Sequence, residues 1–151
     1  TIDCQREPHL KGDATDFEAV FSHLDAGSVE HVVFRHCPKV EFTPRFLTFR
    51  NLNGVKTYNS TIATWDLDAA VIATAHPRMR FAYMVRTRFP NATLPLGLRH
   101  EQFPATFMDI EIAVSNIEWI PRTLPWPQDM LIGLEYSHLD EFPLAFMDLR
   151  P

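Results

Sequence analysis

Histidine has the widest chemical range of the residue types in this chain, and the sequence contains seven histidines. His31 and His36 are the closest pair, but their spacing of five residues does not match the ligand spacings HxH or HExxH. The chain also lacks a CxxC pair, a GxSxG nucleophile motif and a phosphate-binding loop. We therefore expect no metal site, no cofactor and no catalytic centre, and we predict that the protein is not an enzyme.

The two cysteines, Cys4 and Cys37, are too few for a disulfide framework or a zinc motif. Cys4 lies in a polar N-terminal stretch, where it could pair with a cysteine outside this chain. Cys37 occupies a buried position of the pattern described below, so we expect it to be a buried thiol.

Two acceptor motifs for N-linked glycosylation are present, Asn59-Ser60-Thr61 and Asn91-Ala92-Thr93. Asn91 is expected in a turn, where a glycan is easily accommodated, whereas Asn59 is expected at the end of a strand. If used, these motifs imply passage through a secretory pathway. We therefore expect an extracellular or cell-surface protein, with a cytoplasmic protein that carries accidental motifs as the alternative.

Length and composition predict one globular domain with a sizeable core, since 46% of the 151 residues are apolar. The net charge of −5 gives no basic surface for nucleic acid. No run of about eighteen apolar residues exists that could span a membrane. Because the chain starts at Thr1 and not at Met, we expect a fragment of a larger protein, which could itself be membrane-anchored.

Residues 107–124 carry the most regular pattern, Phe107-x-x-Ile110-x-Ile112-x-x-Ser115-x-Ile117-x-x-Ile120-Pro121-x-x-Leu124. Ile110 and Ile112 alternate as on a short strand with one buried face. Ser115 falls where a buried side chain must hydrogen-bond the turning backbone. One such unit cannot bury its own apolar face, so the pattern predicts stacked copies.

Four further copies occur in the chain. They are Val29-x-x-Val32-x-Phe34-x-x-Cys37-x-x-Val40, Leu52-x-x-Val55-x-Thr57-x-x-Ser60-x-Ile62, Met79-x-x-Ala82-x-Met84-x-x-Thr87-x-Phe89 and Leu131-x-x-Leu134-x-Tyr136-x-x-Leu139. The predicted boundaries of the five copies are 29–51, 52–78, 79–106, 107–130 and 131–151. An irregular lead-in with a helix is expected over residues 1–27.

This spacing is similar to the pattern LxxLxLxxNxLxxLPxxL of the leucine-rich-repeat superfamily, with Ser115 in place of Asn. The resemblance implies an α/β repeat solenoid, with short parallel strands on its concave face and helices and turns on its convex face. Two helices are expected there. One spans residues 16–25 with Thr15 or Asp16 as its cap, and the other follows Asp66 and stops at Pro77.

A narrower resemblance covers the second half of the chain, which is similar to irregular leucine-rich repeats of oomycete-type surface proteins. The matching residues are Phe103-Pro104, Asp109-Ile110-Glu111, Asn116-Ile117, Ile120-Pro121 and Trp126-Pro127. Residues 41–51 and 63–78 depart from that pattern. The resemblance implies an ectodomain of a larger membrane-associated protein that binds partners.

Residues between the buried strand positions are expected on the concave face, with bases in the first three copies, acids in the last two and aromatic residues between. Aromatic anchors flanked by opposite charges are typical of surfaces that bind a protein or peptide partner. The predicted partner-binding residues are Arg35, Lys56, Tyr58, Tyr83, Arg86, Glu111 and Glu135. Arg86 and Glu111 are also expected to pair across adjacent strands.

Two alternative functions remain open at this point. The chain could be a regulatory or scaffold domain of a larger enzyme or transporter, and an apolar surface within residues 144–149 would favour that interpretation. It could also be a carbohydrate-binding module that uses Tyr58, Phe81 and Tyr83 as stacking platforms.

Overall fold

The chain folds around a parallel β-sheet. The computed structural model describes residues 1–139. Its strands are β1 (Ile2–Asp3), β2 (His31–Arg35), β3 (Val40–Glu41), β4 (Gly54–Thr64), β5 (Phe81–Arg88), β6 (Asp109–Ala113) and β7 (Leu131–Glu135). The sheet order is β1, β2, β4, β5, β6, β7, and β3 pairs with the second part of β4. All of these pairings are parallel, so the fold is α/β with a seven-stranded sheet and few helices.

Within the described residues, one α-helix, α1 (Ala14–Phe21), and five short 3-10 helices lie in the connections. The 3-10 helices are Ala26–Ser28, Pro44–Thr48, Leu67–Ala69, Pro90–Ala92 and Leu96–Leu98. The predicted helix over 16–25 is wrong at both ends. Asp13 caps α1, because its side chain accepts the backbone N–H of Asp16 at 3.1 Å, and the helix ends before Leu24, which is 49% exposed.

α1 packs on an aromatic cluster that closes one end of the core. The ring centroid of Phe17 lies within 6.3 Å of the ring centroids of four other phenylalanines, Phe21, Phe34, Phe42 and Phe49. All five rings are buried. Each buried phenylalanine removes a large apolar surface from water, so this cluster supplies much of the stability of the first half of the chain.

Five of the strands, β2, β4, β5, β6 and β7, start in register. His31, Gly54, Phe81, Asp109 and Leu131 pair one after another across the sheet. Alternate residues therefore form rows, and two of these rows face the core. The first is Val32, Val55, Ala82 and Ile110, and the second is Phe34, Thr57, Met84 and Ile112, all at most 2% exposed.

The burial predicted from the pattern is confirmed for the first four copies, from Val29 to Ile117. The predicted position of the fifth copy is wrong by two residues, since Leu131 pairs with Asp109 and not with Phe107. Ile132 and Leu134 consequently face the core, while Leu131 and Tyr136 are 70% and 82% exposed. The part of this copy after residue 139 lies outside the described residues.

A column of small residues follows the inward rows, at Cys37, Ser60, Thr87 and Ser115, and all four are buried. The Ser60 hydroxyl accepts the Cys37 N–H at 3.1 Å and donates to the Tyr58 carbonyl at 2.9 Å. Ser115 Oγ accepts the N–H of Ile117 at 3.4 Å, as predicted. The hydroxyl groups of Ser60, Thr87 and Ser115 thus satisfy backbone groups where the chain turns away from the strand.

The residue five positions after each aligned start adopts a left-handed backbone in all five of these strands or directly after them. The positive φ angles are 55° at His36, 46° at Asn59, 50° at Arg86, 54° at Val114 and 53° at Tyr136. Left-handed backbone is unfavourable for most residues and especially for a β-branched one such as Val114. The same turn therefore recurs in five strands with five different residue types.

Cys4 and Cys37 form a disulfide with a Cα–Cα distance of 5.0 Å. The expectations of a buried thiol at Cys37 and of an external partner for Cys4 are therefore wrong. The physical reason is the parallel pairing of β1 with β2, which aligns Asp3 with Arg35 and lets the Cys4 N–H donate to the Arg35 carbonyl at 3.0 Å.

The predicted helix after Asp66 is also wrong, because only Leu67–Ala69 is helical and that turn is 3-10. The backbone N–H groups that a helix would use bond instead to the connection that follows β5. The N–H groups of Val71 and Ala73 donate to the carbonyls of Gly97 and Gln102 at 2.8 and 2.7 Å. Tertiary hydrogen bonds thus override the helix propensity of this alanine-rich segment.

His76 lies at the end of that segment and is completely buried. Its Nδ1 accepts the Ile72 N–H at 3.3 Å, so its Nε2 carries the proton and donates to the Phe46 carbonyl at 2.9 Å. Burial lowers the pKa of His76 below its ordinary value of 6.5, although the bond to Phe46 acts in the opposite direction.

We predict that the stability of the protein falls as the pH drops from 7 to 5.2. The unfolded chain takes up a proton at His76 near pH 6.5, whereas the folded chain does so only at a lower pH. Protonation between these two values therefore stabilises the unfolded state relative to the folded state. The measurement is the free energy of unfolding in urea at both pH values, for the wild type and His76→Gln. Carboxylates with lowered pKa, such as Glu18 and Glu41, act below this window.

The pH dependence should be smaller in His76→Gln than in the wild type, because glutamine does not titrate. An identical loss of stability in both proteins would contradict the role assigned to His76.

Candidate functional site

The side of the sheet that faces away from the core is called the outer face here, and it carries three rows of side chains. The first row is His31, Gly54, Phe81, Asp109 and Leu131, the second is Val33, Lys56, Tyr83, Glu111 and Gly133, and the third is Arg35, Tyr58, Val85, Ala113 and Glu135. Neighbouring strands lie about 4.8 Å apart, so adjacent members of a row are within contact distance.

The centre of the outer face is an aromatic pair with a cation beside it. The rings of Phe81 and Tyr83 stack with centroids 4.6 Å apart and an angle of 21°. Lys56 Nζ lies 5.4 Å from the Phe81 centroid and 5.8 Å from the Tyr83 centroid. A cation over two aromatic rings is stabilised by their negative faces, by roughly 0.5–1 kcal/mol at an exposed site.

The hydroxyl group of Tyr83 is held in place by Asp109 of the neighbouring strand β6. Its hydroxyl donates to Asp109 Oδ2 at 3.0 Å, and this hydrogen bond raises the pKa of Tyr83 above its ordinary value. Glu111, which neighbours Tyr83 in the second row, adds to the same effect. The phenol therefore stays protonated, and its ring orientation is set before any ligand arrives.

Gly54 makes room for this arrangement. A Cβ at Gly54 would lie 2.2 Å from two ring atoms of Phe81, which is too close for any side chain. The Phe81 ring therefore lies across the backbone of β4, with His31 on the far side at a centroid distance of 5.7 Å. The ring covers backbone that the glycine would otherwise leave exposed.

A groove of about 340 Å³ runs beside the aromatic pair. Four of the predicted partner-binding residues, Arg35, Lys56, Tyr58 and Tyr83, line it, together with Val33, Thr57 and Val85. Arg35 lies with its guanidinium carbon 6.0 Å from the Tyr58 ring centroid. The structure thus brings together the basic and aromatic part of the predicted set.

A second groove, of about 610 Å³, opens on the opposite side of the same aromatic pair. Its lining includes Phe81, Tyr83, Met108, Asp109 and Leu131. Met108 and Leu131, which are 53% and 70% exposed, give this groove an apolar rim, while Asp109 and Arg80 add charged groups to its lining. The predicted partner-binding residues include Tyr83 of this groove but not Phe81 or Asp109, although the alternation of residues in β5 and β6 already placed both outward.

Charge is divided across the outer face. Arg35 and Lys56 lie on β2 and β4, whereas Asp109, Glu111 and Glu135 lie on β6 and β7. Ion pairs found in residues 1–139 are confined to the first 45 residues and involve none of these side chains. The charged groups on the outer face are therefore not neutralised by one another.

Arg86 does not belong to this surface. It occupies the left-handed position after the third row, and the ion pairs of the described residues do not include the predicted pair with Glu111. Glu111 is instead level with Tyr83, so three positions along the strands separate the two side chains. Arg86 lines a separate hollow with His36, Asn59 and Arg88.

The two glycosylation motifs differ in geometry. Asn91 is exposed at the tip of the 3-10 helix Pro90–Ala92. Asn59 is also exposed, but its amide Nδ2 donates to His36 Nδ1 at 3.0 Å, and Ser60 beside it is buried.

Within the part of the chain that the structure describes, no three His, Cys, Asp or Glu side chains converge to hold a metal ion. No helix in that part is both long and apolar enough to cross a bilayer. Comparison of the chain with family models, with curated proteins and with solved structures gives no match. Inferences about function therefore rest on the side chains and geometry of this chain alone.

We predict that Gly54→Ala destabilises the protein by about 1–3 kcal/mol, because the new methyl group forces the Phe81 ring out of its position. Urea unfolding should show this loss in the wild-type background and little loss in the Phe81→Ala background, where the ring is absent. Equal losses in both backgrounds would show that Phe81 does not lie over Gly54.

Proposed function

We propose that residues 28–139 form a leucine-rich-repeat solenoid whose concave side is the outer face. Support comes from parallel strands that follow one another in chain order and begin 22 to 28 residues apart. The left-handed residue recurs at the same step of five strands, and a small buried residue follows it in the first four of them. The inward residues of neighbouring strands lie side by side in register and are buried, as in a stacked array.

We further propose that the outer face binds a protein or peptide segment. The observation that carries this proposal is the fixed aromatic pair Phe81–Tyr83 between unneutralised bases and unneutralised acids. Aromatic anchors that are already ordered bind with a small loss of side-chain entropy. Unpaired charges on either side would orient the ligand and reject the reverse orientation.

The charge division defines what such a ligand should look like. An acidic group is expected to face Arg35 and Lys56, and a basic group to face Glu111 and Glu135. An apolar or aromatic residue between them would enter the 610 Å³ groove beside Phe81 and Met108. Arg35 and Glu135 are four strand spacings apart, about 19 Å, which an extended peptide of roughly six residues spans.

The arrangement is less suited to a carbohydrate platform. Phe81 and Tyr83 stack on each other, so one face of each ring is already covered, and Lys56 lies beside both rings. The scaffold alternative depends on residues 144–149, which lie outside the described residues, and it stays a prediction. Similarity to oomycete-type surface proteins likewise stays a proposal.

For location, we propose an extracellular or cell-surface setting, as part of a larger protein. The Cys4–Cys37 disulfide supports this, because such bonds persist mainly in oxidising compartments. The exposed acceptor residue Asn91 is consistent with it.

Peptides selected from a random display library against the chain should carry an acidic residue, a central apolar or aromatic residue and a basic residue in that order. For one selected peptide, Lys56→Glu and Glu111→Lys should each lower the association rate about tenfold at low salt, with a smaller effect at high salt. Surface plasmon resonance at two ionic strengths measures both rates.

Arg78→Glu is the matched control, since Arg78 is an exposed base in the connection before β5. It should leave the association rate unchanged. Selection of no peptide, or equal binding by all three variants at both ionic strengths, would refute a binding role for the outer face.

After expression in a secretory eukaryotic host, we predict an N-glycan at Asn91, because its side chain is exposed on a turn. Intact mass before and after enzymatic removal of N-glycans should differ, and Asn91→Gln should abolish the difference. A mass difference that survives Asn91→Gln and disappears in Asn59→Gln would reverse the assignment, and no difference in the wild type would favour the cytoplasmic alternative.

A further inference from the structure

A polar hollow of about 240 Å³ lies beyond the third row of the outer face, at the C-terminal end of the strand register. Among residues 1–139, its lining includes His36, Asn59, Arg86 and Arg88 and no aspartate or glutamate. Both arginines are exposed, and neither takes part in an ion pair within residues 1–139. Two positive charges thus share a small concave site without a counter-charge from the lining.

The fold builds this site through the left-handed row. His36, Asn59 and Arg86 occupy the same step of three neighbouring strands, with φ angles between 46° and 55°. Arg88 follows two residues later and is level with Thr61 of β4. Val114 and Tyr136 have the same backbone in the last two strands but do not line the hollow.

The donors are partly fixed in place. The Asn59 amide donates to His36 Nδ1 at 3.0 Å, which leaves the proton of the ring on Nε2 and available to another acceptor. The nearby carboxylate of Asp3, at the end of β1, accepts the N–H groups of Gln5 and Arg6 at 3.1 and 3.3 Å. Asp3 does not line the hollow.

We propose that this hollow binds the oxyanion of a sulfate or phosphate monoester. Guanidinium groups present several N–H donors in a plane and form paired hydrogen bonds to tetrahedral oxyanions. The volume is below the range of about 300–1,000 Å³ that encloses a whole small-molecule ligand, so the site fits the charged group and leaves its carrier outside. This site is separate from the aromatic centre and does not depend on the proposed peptide binding.

The test uses the full chain and NMR spectra of the arginine Nε–H groups. Sodium sulfate and sodium phosphate are titrated against sodium chloride at constant ionic strength, because exposed charges are screened by salt. We expect saturable shifts at Arg86 and Arg88, with a dissociation constant on the order of 1 mM for the free ions. Shifts of equal size at all exposed arginines, or shifts that do not saturate, would overturn the proposal.

Two variants and one control separate binding from folding. Arg86→Asn removes a charge with a residue that tolerates a left-handed backbone, and Arg88→Gln removes the other charge on an extended strand. Each should weaken sulfate binding about tenfold without changing the thermal unfolding midpoint. Arg78→Gln, at an exposed arginine outside the hollow, should bind sulfate as the wild type does, and unchanged binding in both arginine variants would overturn the proposal.

Tyrosine O-sulfate and tyrosine O-phosphate then identify the source of the oxyanion. Binding of either ester with loss in Arg86→Asn supports the site, and the tighter of the two names the modification that it recognises. Failure of both esters to bind where the free ions bind would overturn the monoester assignment.

Discussion

The hydrogen-bonded register of the parallel strands is the constraint on which the rest of this structure depends. Because side chains alternate between the two faces of a sheet, a shift of one residue between β4 and β5 would exchange the core and outer rows of the shifted strand. Tyr83 would then point into the core, and Met84 would point outward. The aromatic centre, both grooves and the division of charge exist only in the observed register.

Three kinds of contact fix that register. The inward rows bury Val55, Ala82 and Ile110 against one another. In the core, the Thr57 and Thr87 hydroxyls hydrogen-bond at 2.7 Å and satisfy two polar groups that would otherwise be costly to bury. Outside the strands, Asn116 accepts the Phe89 N–H at 2.7 Å and donates to the Phe89 carbonyl at 3.1 Å, which ties the connection after β6 to the end of β5.

Much of this fold could be predicted from local sequence, because the alternation at Ile110 and Ile112 reports directly which side of a strand is buried. The fifth copy was misplaced since Ile132–Leu134 and Leu134–Tyr136 are both apolar alternations, and only pairing with β6 decides between them. The disulfide escaped prediction because it depends on β1 joining the sheet beside β2, a contact between residues more than thirty positions apart.

The candidate site was predicted in part for similar reasons. The outward positions of Lys56, Tyr58 and Tyr83 follow from the alternation of residues along their strands. The displacement of Arg86 depends on a left-handed backbone, which an arginine at that position does not indicate. The connection after Asp66 shows the same limit, since its donors bond to Gly97 and Gln102 and not within a helix. Local patterns thus predict which residues lie in the inward and outward rows, whereas long-range hydrogen bonds determine which members of the rows are in contact.

The measurement that tests this account most directly is the set of backbone NOEs between β4, β5 and β6 in the isotope-labelled chain. The account predicts contacts that align Val55 with Ala82 and Ala82 with Ile110. Contacts displaced by one or two residues at either pair, or antiparallel contacts, would contradict it, because Lys56, Tyr83 and Asp109 would then not form one surface.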